Sequence, residues 1–172
     1  MPIVIIWILG CLCLAAESVV LSAFGVLGWT FQVPLALTIY LGLRREFVPG
    51  ALTLAALLFP IEWFVGGAMG FYSLGLVVVF FSMRVLRGNI QPGWGIGHAL
   101  VAGASAWLHG LIMIIGLVLL QSGSAMIASV FWSMWTAALT VAFTTVILGK
   151  MLDRLDRALD PRSGRGSLMH DF

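Results

Sequence analysis

Apolar positions in this chain fall in long unbroken runs rather than in alternation, and short polar or glycine-rich breaks separate them. A run of about 20 apolar residues is what carries an α-helix across the hydrocarbon core of a bilayer. Six runs can be read: Ile3 to Leu21, a stretch within Gly28 to Leu43, Phe47 to Val65, Gly70 to Val85, His98 to Leu120 and Ala125 to Leu148. The second is the weakest and has Pro34 inside it. A membrane β-barrel would show alternating segments of about 10 residues instead. The pattern therefore predicts an all-α integral membrane protein, a compact bundle of six transmembrane helices with short loops. Gly66-Gly67-Ala68-Met69 and Gln121-Ser122-Gly123-Ser124 read as tight turns, with Ser124 placed to cap the last helix.

Beyond Lys150 the helical period continues, with Leu152, Leu155 and Leu159 on one face and Asp153 four residues before Arg157. Pro161 ends it. The expected organisation is a membrane domain over 1–150 and a short cytoplasmic helix end with a disordered tail over 151–172. The leucine strip reads as a solvated helix end near anionic lipid, or more sharply as a docking strip for a cytoplasmic partner.

Composition narrows the class further. Of 172 residues, 61% are hydrophobic and 9% charged, against roughly 45–50% and about 25% in soluble domains. A soluble globular fold is excluded, and so is disorder for the bulk of the chain. The nine basic residues are Arg44, Arg45, Arg84, Arg87, Lys150, Arg154, Arg157, Arg162 and Arg165. With six helices, they fall in the second-to-third turn, the fourth-to-fifth loop and the tail, and the other three connections hold none. Cytoplasmic loops carry the Lys/Arg excess, so both termini are expected inside. Nothing in this spacing suggests nucleic acid; membrane lipid is the expected neighbour of the basic flank. The first run lacks a basic leader and Ala15-Ala16-Glu17 is a poor cleavage site, so it is expected to be retained.

Chemistry in such a chain is sought among its intramembrane polar groups. Glu17 lies about 21 Å along the first run and Glu62 at a similar rise along the third, which puts two carboxylates at one depth. They read as a relay, as contacts to another subunit's helix, or as carboxyls bonded to Ser22, Ser73 or a backbone group. His98, at a helix end, is expected to meet water or headgroups. His109 reads as a packing residue: Ser105 is one turn away on the same helix, whereas a serine protease needs nucleophile and base on different elements. Gly93, Gly95 and Gly97 have no preceding strand to make a phosphate loop. Cys11 and Cys13 do not face each other on a helix. No catalytic residue, cofactor or metal ligand set is expected, and the chain reads as a non-enzyme. Ala102, Ala106 and Gly110, like Gly66 and Gly70, recur at four-residue spacing and suit close helix packing. Pro34 and Pro60 are expected to interrupt their helices and face the bundle.

One stretch goes further. Pro34-Leu35-Ala36-Leu37, Arg44-Arg45, Gly50-Ala51-Leu52, Glu62, Gly66-Gly67-Ala68-Met69-Gly70, Phe71-Tyr72-Ser73-Leu74 and Arg84-Val85-Leu86-Arg87 follow one another in order. This resembles the central segment of the rod shape-determining protein MreD family, with its proline-started second helix, basic turn, acid-bearing helix and glycine-rich turn. The family acid is usually Asp, and Phe59-Pro60 replaces a glycine usual just before it. The resemblance implies a non-catalytic subunit of the bacterial cell-elongation complex in the inner membrane. It implies MreC as direct partner, with MreB, RodA and its transpeptidase partner more remote. It also implies that Glu62, Gly66, Gly67 and Gly70 serve structure or partner contact; Glu17 and Pro34 join them on the polar-group and proline arguments above. The alternative is a small-molecule-binding subunit of an energy-coupling-factor-type transporter, its pocket lined by Glu17, Glu62 and His109.

Overall fold

The computed structural model describes residues 3–23, 33–65, 70–88, 95–120 and 124–159. These form six α-helices, with no strand among the described residues: α1 (Ile3–Ala23), α2 (Val33–Arg44), α3 (Phe47–Val65), α4 (Phe71–Leu86), α5 (Ile96–Leu119) and α6 (Ser124–Leu159). Each apolar run has become one helix. Among the described residues two segments, Ile96–Leu119 and Ile127–Asp156, are long and apolar enough to cross a membrane, and the other four helices are shorter apolar ones. The shortfall is plainest in α2. Its 12 residues rise only about 18 Å, against a hydrocarbon core of about 30 Å.

That short helix is the centre of the molecule. Every residue of α2 from Pro34 to Leu43 is buried, and α2 touches all five other helices. A helix apolar on all sides has no face to give to water. Its start corrects one expectation: Pro34 does not interrupt α2 but sits in its first turn, where the missing N–H has no helical partner to lose. The Pro34 carbonyl accepts from Thr38 Oγ1 at 2.8 Å. Pro60, by contrast, does lie inside α3.

Around α2, α5 and α6 form the most extensive pair, and α1 lies along α3, held in part by Trp7 Nε1 donating to the Ala56 carbonyl at 3.1 Å. In lipid, helices cohere by close packing and by polar contacts rather than by expelling water. Small residues supply the close approach here. Ala102 and Ala106 are buried. A Cβ added at Gly110 would stand 2.6 Å from Met134 Cγ of α6, and one at Gly42 would stand 2.7 Å from Met83 Cβ of α4. The four-residue stripe of α5 is thus used inside the bundle. The perimeter carries the opposite pattern: Val48, Leu52, Phe59 and Trp63 of α3, and Trp132, Leu139 and Phe143 of α6, are exposed. Soluble monomers rarely show apolar flanks of this extent.

Candidate functional site

Polar chemistry gathers at the two ends of the bundle. At one end, Arg44 Nη2 meets Asp153 Oδ2 at 3.0 Å and Arg45 Nη2 meets Asp156 Oδ1 at 3.1 Å. The two aspartates are three apart on α6, hence on one face. From α4, Arg84 donates to the carbonyls of Gly42 and Arg45, and Arg87 Nη1 donates to the Arg45 carbonyl at 2.8 Å. A helix C-terminus presents carbonyls without helical partners and a partial negative charge; the two guanidinium groups meet both needs of α2. Arg84 also lies 5.8 Å from the Phe47 ring centre at the start of α3.

This end corrects two expectations. His98 does not meet water or headgroups: it is buried, close enough to Arg44 of α2 and Asp153 of α6 to feel their charges. The leucine strip of the tail is not a free docking surface. Leu152 is buried and Leu155 packs on the core, since α6 runs on along the bundle instead of leaving it. Asp153 is engaged by Arg44 across 109 positions of sequence; the Arg157 side chain, its expected partner, lies outside the described residues, as does the segment 160–172. Partial burial pushes the Asp156 carboxyl upward, but hydrogen bonding to the terminal amine and to Arg45, with the positive charge of both, outweighs this and leaves it below the ordinary aspartate value.

At the other end, Glu17 serves α2. The Val33 N–H donates to Glu17 Oε2 at 3.2 Å, so a carboxylate from α1 sits at a helix N-terminus, where an acceptor and a negative charge are both favourable. Of the readings for Glu17, the bond to a backbone group is the one observed. Nearby, the Tyr72 ring meets His109 edge-on, with centres 4.7 Å apart. The His109 ring fills the space that Gly75 leaves: a Cβ there would be 2.6 Å from His109 Cδ2. His109 Nε2 is buried without a hydrogen-bond partner among the described residues. Ser105 turns its hydroxyl back to the Val101 carbonyl at 2.7 Å.

Glu62 has a different setting. It is exposed on α3, flanked by outward-facing Phe59 and Trp63. Gly70, at the turn into α4, has φ 84°, a left-handed conformation that penalises any side chain, and a Cβ there would stand 4.0 Å from Glu62 Oε1. The structure thus brings Glu62 beside Gly70, and Glu17 beside the Val33-Pro34 start of α2. It turns the two acids in different directions, one inward onto a helix end and one outward. Gly66 and Gly67 lie outside the described residues. Sequence reading missed Arg84 and Arg87 as caps of α2; the basic pair at the end of a helix was the available signal. No signal in the sequence pointed to Tyr72 as the partner of His109.

Comparison with known proteins finds no matching family model, no matching curated protein and no matching solved structure.

Proposed function

We propose that the chain is a non-catalytic scaffold subunit of the bacterial cell-elongation machinery, of the MreD type. In this reading it crosses the inner membrane six times, keeps both termini in the cytoplasm and binds MreC within the bilayer. The observation that carries the reading is the gathering of Arg44, Arg45, Arg84 and Arg87 at one end of a bundle whose flanks are apolar. Cations on one flank only are what the positive-inside bias requires of an even number of crossings. The four arginines also belong to the stretch that resembles MreD, where Arg84 and Arg87 tie α4 to the end of α2 while Arg44 and Arg45 tie α2 to α6. MreB and RodA with its transpeptidase would be reached through MreC rather than directly.

The same geometry favours a scaffold over a solute-binding subunit. Glu17 is engaged at the start of α2, His109 fills the space beside Gly75, and Glu62 points outward. Three polar groups so disposed do not line one pocket. A body of packed helices acts on other chains through its lipid-facing surfaces.

The test uses the whole chain in its own cells. Depletion should convert rods to spheres, and the tagged wild-type protein should recover MreC from native membranes. Unchanged cell shape, together with recovery of ATPase subunits and a bound vitamin, would overturn the proposal.

A further inference from the structure

Glu62 is the charged position on a face that is otherwise apolar. Around it α3 turns Leu52, Phe59 and Trp63 outward, with Phe59 and Trp63 each 79% exposed. Counted from Phe47, Glu62 stands about 22 Å up the helix. If the arginine end lies at the inner interface, as the scaffold reading has it, that depth is still within a hydrocarbon core of about 30 Å. An exposed carboxylate at such depth is costly unless an opposite charge answers it.

Among the described residues this chain does not supply that charge. All its Lys and Arg residues lie at 44, 45, 84, 87 and from 150 onward, and Arg44, Arg45, Arg84 and Arg87 gather at the end where α3 begins. A second copy inserted in the same orientation would bring the same distribution and the same deficit at this level. The missing cation has to come from a different protein. Gly70 leaves room for it, because that residue, beside the carboxylate, carries no side chain.

We propose that the α3 face around Glu62 holds a transmembrane helix of another protein, and that this helix carries a lysine or arginine paired with Glu62. Phe59 and Trp63 pack against the stem of that side chain, and Trp63 offers a ring face to its charge. The inference rests on the scaffold reading and names the surface and the chemistry by which the partner is held.

The experiment places a photocrosslinking residue at Phe59, and separately at the exposed Trp132 on the apolar flank of α6, in the full chain in native membranes. Captured helices are identified by mass spectrometry. The expected result is capture from position 59 of one single-span protein with a basic residue in its outer half. Glu62→Gln, which keeps shape but not charge, should reduce capture at least tenfold. Glu62→Lys should abolish it, and changing the partner's basic residue to Glu should restore it. Capture unchanged in Glu62→Gln, or capture of a second copy of this chain, would overturn the proposal. If wild-type protein recovers MreC but captures it from 132 and not from 59, the scaffold reading stands and this inference falls. If charge-dependent capture at 59 yields a single-span protein other than MreC, the face assignment stands and the MreC assignment falls.

Discussion

Among the close approaches between helices is a histidine against a glycine. His109 is buried to 9% exposure, with Tyr72 on its ring and Gly75 under its edge. A methyl at position 75 cannot be accommodated by a ring held on two sides, so overpacking of this kind should cost about 1–3 kcal/mol. Gly75→Ala is therefore expected to lower the unfolding midpoint in a detergent titration. Gly103→Ala is the matched control: its Cβ would meet the Ala138 carbonyl at an ordinary 3.6 Å, and its midpoint should stay within experimental scatter or rise slightly. Equal losses in both variants would show that helix propensity, not the His109 contact, governs the effect.

Elements bring a different kind of stability. The extension of α6 past Leu148 is fastened by two partly exposed ion pairs and by Leu152 and Leu155. Pairs of this exposure contribute about 0–1 kcal/mol each, so Asp153→Asn with Asp156→Asn should leave the global midpoint nearly unchanged. The effect should appear locally, as faster amide exchange over 150–159. Asp156 also sets a pH dependence. Its folded pKa lies below its unfolded one, so its contribution is complete above the unfolded value near 3.9 and is lost as pH falls through the folded value. Amide protection of the extension, corrected for intrinsic exchange, should be flat from pH 7 to 5 and decline only below about pH 4. A decline that begins near pH 6 would point to a histidine instead.

At the scale of the whole molecule, the scaffold reading takes its direction from the arginine end, which it places in the cytoplasm. Lys150 is exposed just beyond the last apolar run. A Lys150→Cys variant, with Cys11 and Cys13 replaced by Ser, should resist an impermeant thiol reagent added to intact cells and react once the inner membrane is opened. Labelling from outside would invert the orientation and remove the basis for placing MreB on that side.

Much of this architecture was legible in the sequence, and the physical ground is simple. Transfer of a side chain from water to hydrocarbon is a property of that residue alone, so six apolar runs announce six helices, and the order of the basic residues announces that Arg44, Arg45, Arg84 and Arg87 fall at one end. The continuation of α6 to Leu159 was legible on similarly local grounds, whereas the start of α2 at Val33, with Pro34 in its first turn, was read as an interruption. What only the tertiary structure decided is everything that depends on how far each helix is rotated about its axis. Glu17 and Glu62 have the same hydropathy and a similar rise along their helices, yet one turns in to hold Val33 and the other turns out beside Gly70. Arg44 and Arg45 find their partners 109 and 111 residues away, and His109 finds its space on another helix. Rotation and pairing are properties of two packed surfaces at once, and a pattern read along one chain contains only half of each.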